Sequence, residues 1–171
     1  MIVVRNSVSG ELQLVASASG YSGDWSMVAD PAPAQPFMWD DVAGELVPDL
    51  AAARATQREL INAARDAAQD GGADTPSGRF DSAPRSREFL NGAVTNALLS
   101  QLAEVAFSID WTRADNTPVT MSAAQTIAAG QAVAGWVDAV HQRGVVLKAR
   151  IVAAETLAAI KAVVWTLSDP D

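Results

Sequence analysis

The C-terminal third of the sequence carries a stripe of apolar residues that constrains the fold more than any other feature. Its members recur at intervals of three, four and once seven positions: Val133, Val137, Val140, Leu147, Ile151, Ala154, Leu157, Ile160, Val164 and Leu167. This spacing is typical of one face of an α-helix. Gly144 lies inside the pattern and costs a helix about 1 kcal/mol, but no turn residue follows it. The sequence therefore predicts one continuous helix that runs almost to its C-terminal end.

A helix of this length limits how compact the chain can be. About forty residues at a rise of 1.5 Å each make a rod of about 60 Å. A compact domain of 171 residues has a radius of gyration of only about 15 Å. Such a helix must protrude or pair with copies of itself. We therefore expect a homo-oligomer, for which a homotrimer is one arrangement.

A second helix is predicted upstream of this one. Asp81, Ser82 and Ser86 are candidate capping residues, and Pro84 stands where the start of a helix tolerates proline. The residues that follow at helical spacing are Leu90, Val94, Ala97, Leu98, Gln101, Leu102 and Val105. We expect the helix to end near Glu104.

The stretch FSIDWTRADNTPVTMSAAQ, residues 107 to 125, predicts a β-hairpin between these two helices. Apolar residues alternate with polar ones in both halves: Phe107, Ile109 and Trp111, then Val119 and Met121. The polar linker contains Asn116, which tolerates the left-handed conformation of a turn. Pro118 favours an edge strand. Ser122 and Gln125 form a capping-box pattern at the start of the long helix.

Two acidic residues flank the tryptophan of this hairpin and superficially suggest a glycosidase pair, Asp110 and Asp115. Alternation along a strand places Asp110 on the face opposite to Trp111. Asp115 falls in the turn, where aspartate commonly accepts backbone hydrogen bonds. We therefore interpret Trp111 as a buried core anchor and not as part of a catalytic site.

The N-terminal half predicts short strands and then one helix. Residues 2–16 read as a hairpin, and PFMW and ELVP as a second β unit around the turn DDVAG. The proline-rich run VADPAPAQP between them favours an extended connector. Asp49 can cap a helix from Leu50 to about Gln69, which DGGADTPSG then ends.

The predicted fold is α+β and mostly α, in three parts. Residues 1–48 form a β-rich N-terminal attachment region, 49–77 a connector helix with a Gly-rich linker, and 78–171 a helical domain with a β-hairpin. Large aromatic side chains are few in the whole chain, with five Trp, four Phe and one Tyr, so Trp25, Phe37 and Trp39 are either anchors of a small β unit or contacts with a partner. Sugar binding by an exposed Trp25 or Trp39 is an alternative interpretation.

Composition and motifs argue against several classes of function. The net charge is −8 and the basic residues are scattered, which disfavours nucleic acids and anionic membranes as partners. No stretch resembles a signal peptide or a membrane span. His141 is the only histidine and cysteine is absent, so no zinc site is expected. We find no phosphate loop, nucleophile elbow or calcium loop, and predict no enzyme, cofactor or metal.

Residues from about 78 to 155 resemble a small domain of unknown function that recurs in phage tail proteins, especially tail-fibre and tail-tip components. The matching features are Phe80-Asp81 and Ser86-Arg87 at a helix entry, Phe107, Trp111, the turn ending in Asp115-Asn116, Val119, and a long alanine-rich helix. The resemblance implies that Phe80, Phe107, Trp111, Asn116 and Val119 are structural anchors. It carries over no catalytic residue.

The resemblance implies a structural component of a tailed-phage virion, at the tail tip or the fibre attachment. Its partners would be other phage tail proteins, held by residues 1–48, and it would be made in the host cytoplasm. A tail-fibre assembly factor and a carbohydrate-binding receptor module are the alternatives. Whether a host receptor is contacted is left open.

Overall fold

The computed structural model describes residues 1–15, 17, 19, 21, 23–29 and 36–166. The chain is α+β as predicted, with 49% of it in helices and 24% in strands. The strands are β1 (Ile2–Asn6), β2 (Leu12–Val15), β3 (Trp25–Ala29), β4 (Phe37–Asp40), β5 (Glu45–Pro48), β6 (Ala73–Thr75), β7 (Gly78–Phe80), β8 (Ser108–Thr112) and β9 (Pro118–Ser122). The helices are α1 (Leu50–Asp70), α2 (Pro84–Leu102), α3 (Ala123–Ala153) and α4 (Leu157–Ala162).

The chain divides into two compact units. Unit 1 comprises Met1–Gln57 and Arg150–Val163. Unit 2 comprises Arg58–Ala149 and, of the described residues, 164–166.

Unit 1 begins with an antiparallel sheet in the order β2-β1-β3. The predicted hairpin is confirmed as β1 and β2, with Val3 paired to Leu14. Strand β3 was not predicted from the sequence; it pairs with the other edge of β1. Val3 and Val4 of the central strand are fully buried. Most of the predicted proline-rich connector, residues 30–35, lies outside the described residues.

The second predicted β unit is confirmed as the hairpin of β4 and β5, which pairs Phe37 with Pro48. Asp40 accepts hydrogen bonds from the backbone N–H groups of Val42 and Ala43, at 2.8 and 3.0 Å. These bonds stabilise the carboxylate form, so they lower the pKa of Asp40, with the Ala43 bond contributing most. The Asp40 carboxylate therefore stabilises the turn between β4 and β5.

Helix α1 begins at the predicted residue, because the Asp49 carboxylate accepts the Ala52 N–H at 2.9 Å. Within unit 1, two polar side chains of α1 donate to backbone carbonyls near the end of the chain. Arg54 reaches the carbonyl of Ala154 at 2.9 Å, and Gln57 reaches that of Val163 at 2.7 Å. Each carbonyl lies just beyond the end of a helix, where an intrahelical donor is lacking.

Unit 2 contains a hairpin that the sequence analysis missed. The segment predicted as a Gly-rich linker continues into β6 and β7, which pair Ala73 with Phe80. Ser82 follows this hairpin and is fully buried. Its hydroxyl accepts the Gly72 N–H at 2.9 Å and donates to the carbonyl of Gln69. The hairpin is thereby fixed to the end of α1.

Helix α2 has Pro84 as its first residue, as predicted, but its capping differs from the prediction. The N-cap is Ala83, and no side chain caps it. Asp81, Ser82 and Ser86 were therefore wrong as caps. Ser82 is held instead by the hairpin described above, and its hydroxyl is no longer free for the helix start. The helix ends at Leu102, close to the predicted end.

The core of unit 2 lies between α2, α3 and the two hairpins. Its buried members are Ala73, Phe80, Leu90, Met121, Ala129 and Val133. Partly buried side chains pack around them, namely Val94, Ile109, Trp111, Val119 and Trp136. The predicted hairpin β8–β9 thus contributes its apolar face, and the register pairs Trp111 with Val119.

The junction between β9 and α3 is the predicted capping box. The Gln125 side chain accepts the Ser122 N–H at 2.9 Å, and the Ser122 hydroxyl accepts the Gln125 N–H at 3.4 Å. The turn before β9 places Asn116 at φ 63°, the left-handed conformation that the sequence predicted.

Helix α3 continues through Gly144 as predicted, but it is shorter than predicted. It ends at Ala153 after 31 residues, or about 46 Å, and α4 follows as a separate short helix. The prediction of one helix running on towards Leu167 was wrong, because the Thr156 hydroxyl accepts the Ala159 N–H at 3.1 Å and starts a new helix. Leu167 itself lies outside the described residues.

Candidate functional site

A groove of about 610 Å³ lies between α2 and β8 in unit 2. The face of α2 from Ser86 to Asn96 forms one wall, and residues Ile109 to Thr112 of β8 form the other. The groove is therefore bounded by a helix on one side and by the edge of a hairpin on the other.

Aromatic side chains supply much of the apolar surface at the groove. Trp111 is half-buried, and its ring stacks on the fully buried ring of Phe80. Phe89 on α2 is 59% exposed, and the guanidinium of Arg85 lies 5.4 Å from its ring centroid. The expectation that Trp111 is buried was therefore only half right, since its ring belongs both to the core periphery and to the groove.

The ionisable residues that line the groove are all acidic. Asp81 and Glu88 come from the α2 side, and Asp110 comes from β8. Like charges that share a groove attract cations and repel anions. The groove thus combines an apolar aromatic surface with negative charge.

The two acids that flank Trp111 are each held by a threonine and do not work as a pair. Asp110 accepts the Thr120 hydroxyl at 2.6 Å across the hairpin. Asp115 lies in the exposed turn and accepts both the hydroxyl and the backbone N–H of Thr117, at 2.6 and 3.0 Å. These bonds, the hydroxyl first, lower the pKa of Asp115. Both acids therefore make local contacts within the hairpin, in agreement with the interpretation that they do not form a catalytic pair.

The edge of β8 that faces the groove pairs with no strand among the described residues. Arg113 donates its backbone N–H to the carbonyl of Thr117 at 2.9 Å, so these two residues form a hydrogen-bonded pair. Along an antiparallel hairpin, hydrogen-bonded pairs alternate with pairs whose backbone groups point outward. By this alternation Trp111 and Ile109 bond to β9. The backbone N–H and C=O groups of Asp110 and Thr112 therefore point away from β9, and both residues line the groove.

The other residues that the resemblance marks as anchors lie in different surroundings. Val119 is half-buried beside the core, whereas Asn116 is exposed in the turn. Phe107 is half-buried and immediately precedes β8. The groove also uses Phe89 and Glu88, which the sequence analysis did not single out, because their positions on α2 show no pattern that marks them as functional.

The three candidate partner contacts of the N-terminal region are half-buried in unit 1. Trp25 packs edge-to-face with Tyr21, with centroids 5.3 Å apart. Trp39 lies under the guanidinium of Arg5, at 4.6 Å. Phe37 lines a shallow groove of about 260 Å³. Both tryptophan rings therefore have an intramolecular contact.

A second exposed surface lies at the C-terminal end of α2. We call it the apolar α2 face, and its members are Leu98, Leu99, Leu102 and Val105. Leu98, Leu99 and Leu102 are one to four positions apart and share one side of the helix, and Val105 follows just after the helix ends. Leu102 is 82% exposed. Contiguous apolar residues on a surface commonly mark a site of protein association.

Val105 lies in the turn that ends α2. Its backbone N–H bonds to the carbonyl of Ser100 at 3.0 Å, and that of Glu104 bonds to the carbonyl of Gln101 at 3.2 Å. Glu104 has a φ of 55°. This is a Schellman motif with a non-glycine residue in its left-handed position.

Neither metal chemistry nor a membrane span is supported within the part of the chain that the structure describes. No group of three or more His, Asp or Glu side chains there could hold a metal ion. No described helix is long and apolar enough to cross a membrane.

Comparison with known proteins decides the family. A family model described as "Domain of unknown function (DUF4376)" matches residues 52–164, which are 113 of the 171 residues. The chain belongs to this family. The DUF4376 match begins inside α1 and ends just after α4, so it includes the groove and the apolar α2 face. No curated protein and no solved structure matches the DUF4376 chain significantly.

Proposed function

We propose that this DUF4376 protein is a structural component of a phage tail, at the tail tip or the fibre attachment, and that it acts through protein–protein contacts. The apolar α2 face is the observation that supports action through protein–protein contacts. The resemblance of residues 78–155 to tail-fibre and tail-tip components supports the location in a tail.

The apolar α2 face is the surface through which copies of the chain associate. Burying a large apolar side chain contributes roughly 1.5–3 kcal/mol, and Leu102 is almost entirely exposed within one chain. The same surface on two or three copies can pack against itself around a symmetry axis. This arrangement would give the homo-oligomer expected from the sequence, without requiring a helix of forty residues.

Light scattering coupled to size-exclusion chromatography tests the association. The wild-type protein should be an oligomer at micromolar concentration, and Leu102→Glu should shift it to the monomer, because the new charge would be buried in the interface. Val42→Glu is the matched control, since Val42 is 99% exposed in a turn of unit 1. A monomeric wild-type protein, or equal effects of the two variants, would contradict association through this face.

Mass spectrometry of purified phage particles tests the location separately. A structural component should be present at a fixed ratio to known tail proteins. An assembly factor, which is the alternative function, would be present during tail assembly and absent from finished particles. This result does not depend on the oligomeric state, so the two parts of the proposal can fail independently.

The carbohydrate-binding alternative assigns sugar recognition to Trp25 and Trp39. In the structure, the ring of Trp25 packs against Tyr21 and the ring of Trp39 packs against Arg5. Flat, free aromatic faces are what a sugar ring would pack on, so these contacts favour a packing role for both side chains. Loss of glycan-array binding in a Trp39→Ala variant would support the alternative.

A further inference from the structure

We infer that the groove between α2 and β8 binds an extended, basic segment of another protein, which adds to the hairpin as a strand beside β8. The inference does not depend on the tail assignment or on self-association. It rests on the backbone of β8, the length of the groove and the charge of its walls.

The edge of β8 offers the main-chain groups that strand addition requires. As the pairing register shows, Asp110 and Thr112 direct their N–H and C=O groups away from β9. No hydrogen bond joins these backbone groups to another strand of the described residues. An exposed edge with free main-chain groups is a template for an extended peptide.

The dimensions of the groove fit a short strand. The wall formed by α2 runs from Ser86 to Asn96, which is about 15 Å at the helical rise. A strand rises about 3.3 Å per residue, so four to five residues span this length. Side chains of such a strand would point alternately to its two faces, and one set would reach the apolar surface formed by Phe89 and Trp111.

Charge selects the kind of segment. Asp81, Glu88 and Asp110 line the groove, and no Lys, Arg or His does so. The guanidinium of Arg85 lies over the ring of Phe89, one of the lining residues. The whole chain carries a net charge of −8, which would steer a basic segment towards it and repel an acidic one. The occupant is therefore an extended segment in which Lys or Arg alternates with apolar residues.

Fluorescence anisotropy on the full chain tests the inference with two labelled peptides of about eight residues. One alternates lysine with valine, and the other alternates glutamate with valine. We expect the basic peptide to bind, with an affinity that falls as salt rises, and the acidic one not to bind. Equal binding of the two peptides, or binding of neither, would overturn the inference.

Charge variants locate the binding. Glu88→Gln and Asp110→Asn should each lower the affinity for the basic peptide by about threefold, as for partly screened charge pairs. Glu104→Gln is the matched control, because it removes the same charge outside the groove, and it should leave the affinity unchanged. Equal weakening by all three variants would show general attraction to an acidic protein and would contradict a site in the groove.

Backbone readouts separate strand addition from simple charge attraction. Two further peptides carry backbone N-methyl groups, one on every valine and the other on every lysine, so each lacks the donors of one strand edge. At least one should bind about tenfold more weakly, and the amide protons of Asp110 and Thr112 should exchange more slowly when the unmodified peptide is bound. Unchanged affinity for both N-methylated peptides, or binding of a soluble oligosaccharide in place of the basic peptide, would contradict strand addition.

Discussion

The indole ring of Trp111 stacks on the ring of Phe80, with the centroids 5.8 Å apart and the planes inclined by 23°. Phe80 ends β7 and Trp111 lies in β8, so the contact joins the two hairpins of unit 2. Two hydrogen bonds support the junction. Arg113 donates to the carbonyl of Ser77 at 2.7 Å, and Ala114 donates its N–H to the carbonyl of Arg79 at 2.9 Å.

This stack predicts that Trp111→Ala destabilises the fold, but by less than Phe80→Ala. Phe80 is fully buried, so its truncation should cost about 3–5 kcal/mol. Trp111 is half-buried, so we expect about 2–3 kcal/mol, including the loss of the aromatic contact. Denaturant unfolding measures both changes. Trp111→Phe keeps an aromatic ring against Phe80 and should retain most of the stability.

A loss of under about 1 kcal/mol for Trp111→Ala would mean that the ring contributes little to the core. The side chain would then serve the groove alone. The two roles can be separated, because Trp111→Phe should preserve stability while it changes the apolar surface that the groove presents.

The parts of the fold that sequence predicted are those determined by local contacts. The capping box of Ser122 and Gln125, the cap at Asp49 and the left-handed Asn116 each involve residues within a few positions of one another. The hydrophobic periodicity of α3 is equally local, since it reflects one face of one helix.

The parts that sequence missed depend on residues that are distant in the chain. The strands β6 and β7 have three residues each, too few to show alternation, and Ser82 fixes them to the end of α1. Strand β3 exists because β1 offers it an edge. The break after α3 is stabilised by Arg54 of α1, which bonds to the carbonyl of Ala154.

The groove was also beyond prediction from sequence, for the same reason. Asp81, Glu88 and Asp110 are separated by up to 29 positions, and only the packing of α2 against the hairpin brings them to one groove. The sequence did show that Trp111 and Asp110 point to opposite faces of β8. It could not show that the edge between those faces would lie open beside a helix.

Two glycines of α3 should respond to alanine in opposite ways. A Cβ at Gly130 would lie 2.5 Å from Cγ2 of Val94 on α2, whereas a Cβ at Gly135 would meet no atom within 4 Å. Valine is stiff and cannot easily move aside. We expect Gly130→Ala to destabilise by about 1–3 kcal/mol, and Gly135→Ala to stabilise by about 0.5–1 kcal/mol through helix propensity.

The same denaturation experiment can show that the clash is the cause. Adding Val94→Ala should make Gly130→Ala far less harmful than it is alone, so the two changes would be strongly non-additive. Similar stabilisation by both glycine substitutions would contradict close packing of α2 and α3 at Gly130.

The turn of the β8–β9 hairpin should become less stable in acid. The Thr117 hydroxyl and backbone N–H hold the pKa of Asp115 below its ordinary value. A depressed folded-state pKa contributes stability above the ordinary pKa, and this contribution is lost as the pH falls through the folded-state pKa. Thr117→Val should therefore raise the pKa of Asp115, and its destabilising effect should shrink in acid.

Carbon NMR titration of the Asp115 carboxyl measures the pKa directly, and denaturation at neutral and acidic pH measures the effect on stability. Thr120→Val is the matched control, because Thr120 bonds to Asp110 instead. It should leave the titration of Asp115 unchanged. An unchanged Asp115 pKa in Thr117→Val would show that the hydroxyl is not the main cause of the shift.

Replacing the left-handed residue at the end of α2 with glycine should stabilise the fold. Glu104 has a φ of 55°, and residues with a Cβ are strained in this conformation, whereas glycine is not. Glu104→Gly should keep the two Schellman hydrogen bonds and raise the free energy of unfolding by about 0.5–1 kcal/mol. Glu59→Gly, in the interior of α1, is the control and should lower it by about 1 kcal/mol. Equal destabilisation by the two glycine substitutions would contradict backbone strain at Glu104.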